Sequence, residues 1–206
     1  MKKYIVLVTF LCGFFAMGQG LLEQNVGDFH EIKVYDLIAV NLIKSNDNKV
    51  IIKGPHANDI QLINKDGVLK VRMMLEKKFQ GENTFVEVYY KDLDVIDGNE
   101  GARITANELI TQTSLNLRVQ EGAEIRLGLE VEYLSSKAVT GGIIEVSGMV
   151  DVHDVNMNTG AILRAKELRS SITNIRLTAG GEAAIFATKR VSPSDIFFDA
   201  ETKNTL

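Results

Sequence analysis

The stretch Asp151-Val-His-Asp154-Val-Asn156-Met-Asn158 sets carboxylate and amide oxygens at close spacing, the kind of donor set that can hold Ca²⁺. Asp151, Asp154 and Asn156 would be the ligands. The same residues have a simpler account: with Val152, Val155 and Met157 turned inward, Asn156 and Asn158 are the outward alternates of a strand, and Asp beside a corner is ordinary turn chemistry. The repeat "GGxGxDxUx" of calcium-binding solenoids does not occur. No cofactor is called for.

Two other constellations could do chemistry. Asp92, Asp94 and Asp97 in "YYKDLDVID" put carboxylates on alternate positions, and carboxyl groups about 5–10 Å apart across a sugar carry out glycoside hydrolysis; acids near a strand also simply keep it soluble. Arg118, Lys137 and Arg176, about 20 residues apart, become a strip if the chain stacks in coils of that length, able to meet the carboxylates of an acidic glycan or of a partner protein. The alternative is a solvated face, with Glu100 and Glu121 partly neutralising it. His30, His56 and His153 are scattered, as surface histidines are. The signatures GxSxG, GxGxxG, HExxH and the Walker loop are absent. The expectation is a protein that is not an enzyme.

The elements that must position these residues are strands. Between Val26 and Tyr90 apolar residues alternate at Ile32/Val34, Val40/Leu42, Val50/Ile52, Ile60/Leu62, Leu69/Val71/Met73 and Val86/Val88/Tyr90, and Asp66-Gly67 is a two-residue hairpin signal. No segment keeps a helical period.

The second half repeats. Gly101, Gly122, Gly141, Gly160 and Gly180 stand 21, 19, 19 and 20 residues apart, each with a small residue after it. Three and five residues past each glycine, and three and five before it, lie mostly apolar columns. Two short strands joined at a tight corner, one coil per repeat, account for them: glycine permits the positive φ of a corner and stacking buries the inward columns. The fold class expected is therefore all-β, a single-stranded right-handed parallel β-helix (β-solenoid) with about 19–21 residues per coil, preceded by a strand-rich N-terminal part. In domain terms, residues 1–18 are a signal peptide and 19–206 one domain: a strand-rich part about 26–95, glycine-marked coils about 96–191 and an irregular tail 192–206.

The leader reading rests on Met-Lys-Lys, an apolar run from Tyr4 to Phe15 and small residues up to Gly18. That run is too short to span a bilayer, and nothing later is longer, so no membrane span is expected in the mature chain. Cys12 lies within the leader, which leaves a mature chain without thiol or disulfide chemistry. Losing Lys2 and Lys3 takes the formal charge from −4 to −6, a poor balance for binding nucleic acid. The chain is expected to be exported, to the periplasm, the cell surface or the medium.

With "F-x-x-I-x-V" at Phe29, Ile32 and Val34 and the recurring "GA-x-I" coils, the chain resembles the head GIN domain (DUF2807) family of auto-transporter adhesins, common in Bacteroidetes, over roughly Val26 to Val191. The resemblance implies a parallel β-helix and carries over no catalytic residues. It departs at the end, where the family's "G-x-I-x-Y-x-G-x-P" strand is replaced by "SPSDIFFDAETKNTL". Three readings follow. The first is an adhesion or interaction module whose coil side face meets a glycan or an envelope protein. The second is a carbohydrate-active enzyme on a β-helix, disfavoured because short coils leave little room for a groove. The third is a periplasmic structural or signalling partner. Open solenoid ends would also permit oligomers.

Overall fold

In the computed structural model, residues 21–187 and 196–197 are described. The leader 1–18 and all of the tail 192–206 except 196–197 lie outside them. The strands are β1 (Leu21–Asn25), β2 (Glu31–Val34), β3 (Ala39–Lys44), β4 (Lys49–Lys53), β5 (Ile60–Lys65), β6 (Val68–Met73), β7 (Phe85–Tyr90), β8 (Val95–Gly98), β9 (Arg103–Ala106), β10 (Ile110–Val119), β11 (Glu124–Ala138), β12 (Ile143–Asn158), β13 (Ile162–Thr178), β14 (Glu182–Ala187) and β15 (Ile196–Phe197). The chain is a β-solenoid, and its coils pair in parallel: β10 with β11, β11 with β12, β12 with β13, β13 with β14.

Each corner is a tight turn with two consecutive residues at positive φ. Glu100-Gly101, Glu121-Gly122, Thr140-Gly141, Thr159-Gly160 and Ala179-Gly180 all lie there, with glycine φ between 68° and 76°. The residue after each glycine donates its N–H back across the turn, as from Ala123 to the Gln120 carbonyl at 3.1 Å, the bond of a type I′ turn. The glycine N–H donates to the neighbouring corner, Gly122 to Thr140 at 3.2 Å and Gly141 to Thr159 at 3.0 Å. A Cβ on Gly122, Gly141 or Gly160 would meet nothing within 4 Å. Glycine is there for its backbone angle alone.

Crowding falls on the next residue. Ala102, Ala123 and Ala161 are fully buried. A Cβ at Gly142 would lie 2.8 Å from Val119 Cγ2, and one at Gly181 2.4 Å from the Met157 carbonyl. Gly98, by contrast, faces Ala123, where a Cβ would stand 3.3 Å from the alanine's own. Bulk before one corner is thus matched by its lack after the next.

Two features of the coils differ from the expectation. Each full coil is one bent strand, since β11 runs from the Gly122 corner almost to the Gly141 corner. A second corner is made by two outward residues in succession, as at Glu132-Tyr133 and Asp151-Val152, where the alternation reverses. The N-terminal part also belongs to the same stack: β2 pairs in parallel with β8, and β3 with β9. Its corner is Asp36-Leu37, at φ 60° and 64° without a glycine, and Leu37 N–H donates to the Glu100 carbonyl at 3.0 Å.

Antiparallel strands finish that end. β5 and β6 form the hairpin on Asp66-Gly67, and β1, not foreseen in the sequence, pairs with β4, which pairs with β7. One continuous apolar core runs from Phe29 to Leu177.

Candidate functional site

Strand register fixes the basic strip. Arg118 lies opposite Lys137, Lys137 opposite Asn156, and Asn156 opposite Arg176. The column also takes in Asp97, four residues before Gly101, and continues beyond it, where sequence reading stopped, to Lys33 and then Lys70. Lys33 stands four residues before the Leu37 corner, as Arg118 stands four before Gly122, so the repeat was present in the sequence without its glycine. Seven positions at about 4.8 Å spacing extend about 29 Å along the solenoid.

Charge is distributed unevenly along that column. Lys33 Nζ lies 3.0 Å from Glu31 and 3.2 Å from Asp97, and although burial opposes its charge, these carboxylates hold its pKa above the ordinary lysine value. Arg118 reaches Glu31 only at 3.9 Å. Lys137 and Arg176 have no ion pair among the described residues, and both are exposed. The expected neutralisation by Glu100 is weakened because Lys78 takes that carboxylate at 2.9 Å.

The acidic candidates are not gathered in this way. Asp151 and Asp154 are exposed on either side of a corner, Asp154 accepting from Asn174 Nδ2 at 2.7 Å, while Asn156 belongs to the basic column. Among the described residues no group of three His, Cys, Asp or Glu side chains could hold a metal ion. Asp92 and Asp94 precede β8, and only Asp97 lies on it, paired with Lys33.

Two expectations need correction. His153 is not a surface histidine: it is 1% exposed, and its Nε2 lies 2.9 Å from the buried Ser136 Oγ. It takes the inward place expected of Val152, which is half-buried, because the alternation reverses at the second corner. Burial pushes its pKa down to about 4, with Asp154 opposing. One coil on, Ser170 and Thr173 hydroxyls bond at 2.6 Å, also buried. This interior polar cluster is structural, closed off from any substrate.

The coils also leave more room than expected. A groove of about 770 Å³ runs past Thr105, Arg126, Gly128, Glu145, Arg164 and Lys166. Arg126, Glu145 and Arg164 occupy successive rungs, with Glu145 held at 3.2 Å and 3.7 Å between the two guanidinium groups. A bulge between Glu145 and Ser147, where β13 inserts an extra residue, opens this face and lengthens the repeat from 19 to 20.

A parallel β-solenoid with type I′ glycine corners and a charged side face defines a class of stacked-coil repeat proteins. Within that class, the chain belongs to the family described as "Putative auto-transporter adhesin, head GIN domain" (DUF2807), which it matches over residues 28–194. Among solved structures it is similar to a "putative adhesin" from Bacteroides fragilis, at TM-score 0.75 and 15% identity, covering 84% of this chain and 83% of the other. It is similar also to a putative adhesin from Parabacteroides merdae (TM-score 0.60, 17% identity, 82% of each chain). A third likeness is a putative lipid binding protein from Parabacteroides distasonis (TM-score 0.59, 16% identity, 84% of each chain). These likenesses show the fold. No curated protein matches the chain in sequence.

Proposed function

We propose that the protein is a non-enzymatic, exported adhesion or interaction module that binds an acidic glycan along the column from Lys33 to Arg176. The observation that carries this reading is the alignment of Arg118, Lys137 and Arg176 in one register on a chain of net charge −4, with Lys137 and Arg176 lacking carboxylate partners among the described residues. A linear polyanion laid parallel to the solenoid axis meets a cation on most rungs, and guanidinium groups bind carboxylates in a forked geometry. Membership of a family described as adhesins supports the general role, as do the structural neighbours. Among the described residues no helix is long and apolar enough to cross a membrane.

Binding to polygalacturonate and to heparin, with dextran as the neutral control, tests the reading. The wild type is expected to bind the two polyanions, and Arg118→Glu with Lys137→Glu to weaken that binding by about tenfold or more, since each charge-assisted contact contributes roughly 1.5–3 kcal/mol. Equal binding by the double variant removes the proposal. Cleavage of either polymer, abolished by Glu145→Gln in the groove, would instead place a carbohydrate-active enzyme there.

A further inference from the structure

The end of the solenoid built by the N-terminal strands carries an unusual surface. After β6 the chain makes a single 3-10 turn, Leu75–Lys77, followed by a tight turn closed by the Gln80 N–H on the Lys77 carbonyl at 3.0 Å. Leu75 is 75% exposed, Phe79 54% and Met74 42%. Three large apolar side chains within six residues are thus held out into water, at a cost that scattered surface leucines do not incur. Their position is enforced. Asp36, itself buried, accepts the N–H of Met73 at 3.0 Å and of Phe79 at 3.3 Å, and Phe79 sits at φ 63°, where an aromatic residue is strained.

Charged residues of both signs stand about this tip, with the exposed acids Glu76 inside the turn and Glu82 just after it. Lys70 and Arg72, two residues apart on β6, face one side, and behind the turn a pocket of about 220 Å³ is lined by both of them, by Lys78, Tyr35 and Leu75, and by the acids Asp36 and Glu100. The acids are engaged, Glu100 with Lys78 and Asp36 with the two backbone N–H groups. Arg72 Nε donates to Gln61 at 3.1 Å, and neither Lys70 nor Arg72 has a carboxylate partner among the described residues. Lys78 lies over the Phe79 ring, 4.8 Å from its centre, so charge and apolar surface are intermixed.

An exposed apolar tip flanked by cations on its pocket side is the chemistry of a peripheral membrane contact: apolar side chains enter the headgroup boundary while ammonium and guanidinium groups meet phosphates. We propose that the turn from Met74 to Phe79 docks on a membrane of anionic phospholipid, with Leu75 and Phe79 in the interface and Lys70 and Arg72 holding a phosphate headgroup in the pocket. Lys70 is the last position of the basic column, but Arg118, Lys137 and Arg176, on which the glycan reading rests, lie on other rungs, so the two proposals fail separately. It also sets an orientation, with the solenoid rising from the bilayer on the end that holds β5 and β6.

Sedimentation with vesicles of phosphatidylcholine alone and of phosphatidylcholine with phosphatidylglycerol tests the proposal on the mature chain. Binding is expected only to the anionic vesicles, reduced about tenfold by Leu75→Ser with Phe79→Ser and about tenfold by Lys70→Glu with Arg72→Glu, and unchanged by Arg118→Glu with Lys137→Glu. Both tip residues are exposed, so the first pair keeps the fold even if the second does not. Absence of binding to anionic vesicles overturns the proposal. So does full binding by the Leu75/Phe79 variant, and so does displacement by inorganic phosphate, which would make the pocket a site for a free anion.

Discussion

His153 enters the core as a neutral ring whose pKa burial has moved to about 4, with Asp154 opposing. As pH falls the unfolded chain therefore takes up this proton first, near the ordinary value of 6.5. Stability on this account is complete above about pH 6.5 and drains away down to about pH 4, by roughly 3 kcal/mol. Urea unfolding at pH 7.5 and 4.5 should show a smaller loss for His153→Leu than for the wild type; equal losses would mean that the ring is not the titrating group. Sequence reading misplaced this residue because it gave the inward place to the apolar Val152, although alternation back from Met157 and Val155 puts His153 inward. Two outward residues in succession, Asp151 and Val152, shift every later side chain by one position, and nothing in their types announces it.

Among the elements, the corners divide the work of two adjacent positions, and substitutions should separate them. Gly122→Val should cost about 1–3 kcal/mol through its backbone angle, and Gly122→Asn much less, because asparagine tolerates left-handed geometry. Gly142 faces crowding instead, so Gly142→Ala should also cost about 1–3 kcal/mol, with Gly142→Asn worse rather than better. Thermal melts of the four variants check this, and an asparagine tolerated equally at both sites would refute the division. The glycine corners were legible because a type I′ turn favours that residue at its second central position. The Asp36-Leu37 corner was not, since it reaches the same conformation without glycine, and with it Lys33 and Lys70 were missed as members of the basic column. The groove beside Arg126 and the pocket behind Leu75 were equally hidden: one depends on a bulge, the other on the convergence of Tyr35 with β6.

Across the whole molecule, stability is graded by rung. β11, β12 and β13 lie between coils on both sides, whereas β14 has only β13 and β1 only β4 among the described residues. In a stack where each coil contacts its neighbours, opening propagates from the ends. Native-state hydrogen exchange should find the slowest amides in β11 and β12 and the fastest in β1 and β14; a flat profile would mean that the solenoid opens as one unit. The fold class followed from the twenty-residue period alone, because any chain with that spacing of inward columns must stack to bury them. What the stack binds depends on side chains facing out, on which the period places no constraint.

The ladder of corner bonds, in which the N–H groups of Gly101, Gly122, Gly141 and Gly160 reach the next coil, also bears on how the molecule responds to load. Tension entering through the last coil acts across the parallel pairing of β13 and β14, so the backbone bonds yield in sequence, as a zip does, rather than together in shear. Each coil released would lengthen the tether by about 65 Å, from 19 residues at about 3.4 Å each. A stack loaded this way would give ground in steps of that length, one per coil, rather than in a single event.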